Sequence, residues 1–191
     1  DRPVTIVIDS VASMLTKEEL ETDFDESNMR TKLSLPSVLS TSLKKLAPIV
    51  SKANVTLIFL NQTRDNPGVM FGDKEKTPGG KAMKFYASVR IKLSKTGKVK
   101  DKDDNIIGEK VTATVIKNKV NDPFRTADYI SDFHDGINLY ASHIEEALKL
   151  DILQKSGSRI EWDGKKPYKS ELEKLFREDP SEYLKFMSLF A

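Results

Sequence analysis

The sequence has no cysteine, only two histidines and a single tryptophan. Without cysteine there are no disulfides and no thiolate metal sites, which suits a reducing cytoplasm. His134 and His143 have no acid at ligand spacing, so both read as structural or surface residues. Trp162 reads as packing within a small hairpin. No apolar run approaches the roughly 20 residues that cross a bilayer. The longest, Val55 to Leu60, is broken by Thr56 and fits a buried strand. Internal repeats and low-complexity tracts are also missing. No signal peptide precedes Asp1, and the chain opens almost directly on a strand, so it reads as a piece of a longer protein.

What is present is an ordinary globular balance, 38% hydrophobic and 31% charged over 191 residues. That length supports one domain, or one domain with a small lobe. The net charge of +2 says little, but its distribution says more. Residues 61–100 hold ten lysines and arginines against three acids, while Glu18 to Glu26 carries six acids and no base. Basic clustering is a footprint for polyanions, although a solvated face gives the same pattern.

Val4 to Ile8 is a β-branched run ending at Asp9-Ser10, the signature of a buried, parallel strand. Apolar residues at 38, 39, 43, 46, 49 and 50 have helical spacing. They predict a helix from Pro36 to Lys52, with Pro48 ending or distorting its last turn. Val55 to Leu60 follows as a second strand, and this strand–helix–strand order is an α/β pattern with a parallel sheet. Asn61 to Lys81 has no periodicity and reads as a long functional loop. Strands are predicted at Ala87 to Leu93, Val111 to Lys119 and Ala127 to Phe133, with the polar stretch KTGKVKDKDDNIIG as a connection. Past an Asp135-Gly136 turn the texture changes, and a lobe boundary is expected near residue 137. Beyond it are a helix from Asn138 to Leu150 and a hairpin around Asp163-Gly164. A capping box at Ser170 and Glu173 opens another helix, and a last helix starts at Asp179-Pro180.

Asp9 ends an apolar strand, the edge at which open α/β sheets bind ligands. A carboxylate there can hold Mg²⁺; an ordinary turn-forming aspartate looks the same. Asn61-Gln62 ends the next strand, where a side-chain amide can sense a phosphate. The loop after it mixes Arg64, Lys74, Lys76 and Lys81 with Phe71 and several glycines. Cations drive nucleic-acid binding by counterion release, glycines admit phosphates to the backbone, and an apolar tip can stack on bases. Lys117 and Lys119 share a strand face and suit an anionic partner, or else protect a sheet edge.

The strings NQTRDNPGVMFGD and TPGGKAMKFYASVRI resemble the second DNA loop of bacterial and phage RecA strand-exchange recombinases and the segment after it. IVIDSVASM resembles that family's Walker B strand, and KNKV with Pro123-Phe124 resembles its inter-subunit nucleotide contact. INLYASHIEEALKLDILQKSGSRIEWDGKKPY resembles its C-terminal lobe. The resemblance implies part of a RecA-like P-loop ATPase core, mostly parallel with an antiparallel extension, over 1–137. A small α+β lobe would occupy 138–191. It implies a role in homologous recombination, DNA repair and the SOS response, with ATP and Mg²⁺ as cofactors. It also implies single- and double-stranded DNA as partners, self-association into a helical filament, and no membrane.

Carried over by position, Asp9 would be the metal-holding acid with Ser10 beside it, and Gln62 the switch coupling ATP to DNA. The DNA contacts would be Met29, Arg30, Arg64, Val69, Met70, Phe71, Lys74, Lys76, Gly79, Gly80 and Lys81. Lys117, Lys119 and Pro123 would reach a neighbouring subunit's ATP, and Lys84, Phe85 and Arg90 would lie along the subunit interface. The chain departs from the family in having no G-x-x-x-x-G-K-[ST] phosphate loop. Arg30 also stands where many members have glycine. The chain alone is therefore expected not to hydrolyse ATP. A non-catalytic module that modulates recombinase filaments is the alternative.

Overall fold

The protein is described by a computed structural model that covers residues 2–21, 29–65 and 75–190; for 29–34, 65 and 75 it gives the backbone only. It forms two compact units, Asp1–Ala87 and Ser88–Ala191. No helix among the described residues is long and apolar enough to cross a membrane.

In the first unit, β1 (Val4–Ile8) is followed by a short 3-10 turn at Val11–Ser13 and by α1 (Lys17–Glu21). The side chains of Thr16 and Glu19 cap α1 reciprocally, each accepting from the other's backbone N–H at 3.2 and 2.7 Å. Then come α2 (Met29–Lys52) and β2 (Val55–Phe59). β1 and β2 pair in parallel, from Val4 opposite Val55 to Ile8 opposite Phe59. All five β1 residues are β-branched, which favours the pleated backbone.

The helix differs from its sequence reading. It begins at Met29 rather than Pro36 and passes through both Pro36 and Pro48. A proline inside a helix forfeits one backbone hydrogen bond. Burial of Leu39 and Leu43 holds the helix in place against that loss. Beyond β2, the two-residue strands β3 (Arg64–Asp65) and β4 (Glu75–Lys76) pair antiparallel. A one-turn helix, α3 (Ala82–Tyr86), closes the unit.

The second unit opens on an antiparallel meander of β5 (Val89–Lys100), β6 (Ile106–Asn118), β7 (Thr126–Asp132) and β8 (Gly136–Asn138), in that order. The stretch read as a polar connection is mostly strand. β5 and β6 run on to a tip at Asp101–Asn105, where the Asp101 carboxylate accepts from the backbone N–H groups of Asp103 and Asn105. Gly108 lets β7 approach, since a Cβ there would lie 2.5 Å from the Ser131 carbonyl oxygen.

The remaining elements are α4 (Leu139–Lys149), the paired strands β9 (Lys155–Ser156) and β10 (Arg159–Ile160), α5 (Lys169–Glu178) and α6 (Pro180–Met187). Asn138 caps α4 by accepting from the Ala141 N–H at 3.1 Å. Asp179 caps α6 through the Ser181 and Glu182 N–H groups, as the Asp-Pro pair predicts. The other capping box lies two residues earlier than read. Glu171 accepts from the Tyr168 N–H at 2.8 Å, while Glu173 accepts from the Asn138 side chain at 2.7 Å. Ile144, Ala147, Leu153, Ile160, Trp162, Leu172, Phe176 and Phe186 form the core here. Trp162 is a packing residue: it is buried edge-on against Phe176 and Phe186 and donates from Nε1 to Glu182.

Candidate functional site

Parallel pairing of β1 and β2 brings their carboxyl ends side by side. The pairing continues past the strands, since the Leu60 N–H donates to Ile8 and the Val11 N–H donates to Leu60. Asp9 and Ser10 therefore leave the sheet beside Asn61 and Gln62. Asp9 is exposed and Ser10 half-buried, joined by a cis peptide bond. The Ser13 hydroxyl donates to the Ser10 carbonyl at 2.9 Å, which steadies the turn behind Asp9. Among the described residues no group of three or more acids and histidines could hold a metal ion. Asp9 and Ser10 offer two hard oxygen donors, a partial set of the kind Mg²⁺ accepts when phosphates and water supply the rest.

Asn61 links this edge to the basic loop. Its side-chain amide donates to the Pro78 carbonyl at 3.0 Å, and its Oδ1 accepts from the Gln62 N–H at 3.0 Å. The bond to Pro78 falls one residue before the Gly79-Gly80 pair. Both glycines hold positive φ angles, +82° and +73°. A Cβ on Gly79 would stand 2.8 Å from Leu39 Cδ1 and 3.0 Å from Val11 Cγ1, and one on Gly80 would stand 3.1 Å from Pro36 Cβ. The glycines are thus fixed by α2 and by the turn after β1. Sequence reasoning placed these glycines near phosphates but missed both the packing and the Asn61–Pro78 bond. The only sequence signal for that bond is an amide residue directly before Gln62.

Arg64 and Lys76 occupy opposed positions across the β3–β4 pair, both exposed. Lys81 is exposed just before α3, which carries half-buried Lys84 and exposed Phe85. Val69, Met70, Phe71 and Lys74 lie outside the described residues, as do the side chains of Met29 and Arg30; the backbone of that pair opens α2.

In the second unit, Arg90 on β5 stands opposite Lys117 on β6. Lys119 lies two residues further on the same face, with its N–H donating to the Ser88 carbonyl at 3.0 Å. Burial, followed by the charges of Lys119 and Arg90, holds the Lys117 ammonium below the usual lysine range. Pro123 is exposed in the connection to β7. That connection is held by Asn118, whose Oδ1 accepts from the Val120 and Asn121 N–H groups, and by an Asp122–Arg125 ion pair at 3.1 Å.

The family profile of the RecA N-terminal domain matches residues 4–138. Protein RecA of Rickettsia canadensis (strain McKiel) is 42% identical over 153 residues, covering 80% of this chain and 43% of that protein. Protein RecA of Rickettsia prowazekii (strain Madrid E) is 42% identical over 153 residues, 80% of this chain and 44% of its own. Protein RecA of Ehrlichia canis (strain Jake) is 42% identical over 159 residues, 83% of this chain and 43% of its own. The chain spans less than half the length of the curated relatives it matches.

Proposed function

The chain belongs to the RecA family, and from that premise we propose that it carries the metal acid, the phosphate switch and the main DNA loop of an ATP-dependent recombinase. The observation that carries this reading is the Asn61–Pro78 hydrogen bond. It makes a mechanical link between the sheet edge at Asp9 and Gln62 and the glycine turn that ends the basic loop. Asp9, with Ser10, would hold Mg²⁺, and such an ion would supply positive charge to offset that of the phosphates. Gln62 hydrogen-bonds the terminal phosphate. Its displacement moves Asn61, and with it Pro78 and the glycine turn. Order–disorder transitions of a loop on phosphate contact are a known form of such switching.

The loop binds single-stranded DNA through Arg64, Lys74, Lys76 and Lys81, with Gly79 and Gly80 close to the backbone and Val69, Met70 and Phe71 at the bases. Met29 and Arg30 contribute a second DNA contact. Lys117, Lys119 and Pro123 engage a nucleotide held by the neighbouring subunit of a filament, whose interface includes Lys84, Phe85 and Arg90. The filament exchanges strands with a homologous duplex. The core portion of the chain ends near residue 137, a division supported by the family profile stopping at residue 138. ATP hydrolysis requires a phosphate loop that these 191 residues lack.

Single-strand binding, followed by anisotropy of a labelled oligothymidylate, tests the loop assignment. Affinity should fall steeply with salt. It should be lost on the double change Gly79→Ala/Gly80→Ala. Unchanged affinity in that variant refutes the loop as the DNA site. Steady ATP turnover by the pure 191-residue chain refutes the division of the ATP site.

A further inference from the structure

We propose that Ser13 is a positioning residue for the metal acid: its hydroxyl holds the backbone of Ser10 and so sets where Asp9 and Ser10 present their oxygens to Mg²⁺. The proposal rests on reading Asp9 and Ser10 as the metal donors.

The bonds around the turn carry it. Leu60, just past β2, clamps the chain on both sides of the two donors. Its N–H donates to the Ile8 carbonyl at 3.0 Å, and its carbonyl accepts from the Val11 N–H at 2.9 Å. Asp9 and Ser10 span the gap between those two bonds, and Ser13 supplies the bonds that hold Ser10. The Ser13 hydroxyl donates to the Ser10 carbonyl at 2.9 Å and accepts from the Ser10 N–H at 3.3 Å. The Ser13 N–H also donates to the Ser10 carbonyl, at 3.1 Å. One hydroxyl thus ties both polar groups of the Ser10 backbone, a local side-chain-to-backbone pattern that serine favours.

The state of Asp9 makes that restraint matter. Among the described residues its carboxylate has no hydrogen bond and no ion pair. No neighbour steers the side chain, so its direction follows from the backbone that carries it. Mg²⁺ demands near-octahedral oxygen donors at about 2 Å and tolerates little error in their placement. Groups that orient metal donors without touching the metal typically contribute about 10- to 100-fold in affinity. Capping of the short turn is the plainer role for Ser13, but the turn is packed by another residue. Val11 is fully buried beside Gly79, whereas Ser13 is exposed. Removing an exposed hydroxyl leaves no cavity, and its backbone partners turn to water. Metal affinity and stability therefore separate at this position.

The test is Mn²⁺ binding, followed by EPR, to the protein that carries this chain, saturated with a non-hydrolysable ATP analogue. Mn²⁺ takes the same oxygen donors as Mg²⁺, and its signal reads bound and free ion without turnover. Asp9→Asn should weaken Mn²⁺ binding, which checks the site itself. Ser13→Ala should weaken it by about 10-fold, the low end for an indirect group. Ser13→Thr, which keeps the hydroxyl, should restore it, and Ser13→Ala should keep the wild-type urea midpoint. Wild-type Mn²⁺ affinity in Ser13→Ala, with weakening in Asp9→Asn, overturns the role of Ser13 and leaves the metal acid standing. A loss that Ser13→Thr does not restore, or that comes with a lower urea midpoint, is a folding effect and also overturns it. Unchanged affinity in Asp9→Asn overturns both readings.

Discussion

Gly79 shows what a single residue contributes. Its φ of +82° is a conformation that side-chain-bearing residues rarely adopt. Its missing Cβ also leaves room for Leu39 and Val11. Gly79→Ala should destabilise the first unit by about 1–3 kcal/mol, read as a shift in the urea midpoint. Gly164 has a similar φ of +73° but nothing within 4 Å of an added Cβ. Gly164→Ala should therefore cost only the backbone term, about 1 kcal/mol. An equal loss at both positions would contradict the packing role of Gly79. The identity of these glycines was legible in the sequence, whereas the neighbours that fix them were not, because Pro36, Leu39 and Val11 are distant along the chain. Asn61 is similar: its position beside Gln62 was visible, but its bond to Pro78 needed the fold.

At the level of elements, patterning succeeded where β-branched composition marks a strand. The runs at Val4–Ile8 and Val55–Phe59 form the parallel pair, but the burial expected of Val4–Ile8 is not found: its residues are exposed or half-buried. Patterning failed where contacts from elsewhere override local preference. α2 runs through two prolines because Leu39 and Leu43 are buried. β5 and β6 extend through a polar stretch because most residues there have a cross-strand partner, and Lys95 and Glu109 form an ion pair across the ladder at 2.8 Å. Ser142 joins α4 to the meander: its hydroxyl accepts from the Ile130 N–H at 2.9 Å and donates to the Asn138 carbonyl. Ser142 is 4% exposed, so Ser142→Ala strands a buried N–H. The expected cost is about 1–3 kcal/mol in denaturant unfolding. A change of a few tenths would mean that water or a backbone shift replaces the bond. His143 gives this region a pH dependence. Its ring nitrogen lies 2.6 Å from the Tyr183 hydroxyl, and burial lowers its pKa from 6.5. The folded state then binds fewer protons than the unfolded state, so the stability is present above about pH 6.5 and lost as pH falls from there through the lowered folded-state value. Unfolding midpoints measured at about pH 7.5 and about pH 5 should differ less in His143→Gln than in the wild type. An identical difference would assign the pH dependence to other groups.

Across the whole molecule, the family was legible because RecA-like strings occur in sequence order from the Asp9 strand to the C-terminal hairpin. Individual roles were less so, since a strand-end aspartate, a basic loop and two lysines each have ordinary explanations. Structure adds the connections among them within each unit. It also shows apolar side chains bared on the parallel pair, among them Val7 at 56% and Ile58 at 41% exposure. Parallel strands are normally covered on both faces. The isolated chain should therefore bind an apolar dye and associate as concentration rises. The central claim is that nucleotide sensing at the Asp9–Gln62 edge reaches the DNA loop through Asn61. It is tested most directly by oligothymidylate affinity of the protein that carries this chain, with and without a non-hydrolysable ATP analogue. The account predicts that the analogue tightens binding in the wild type and that Asn61→Ala keeps the unliganded affinity but loses the tightening. Equal tightening in wild type and Asn61→Ala would contradict it.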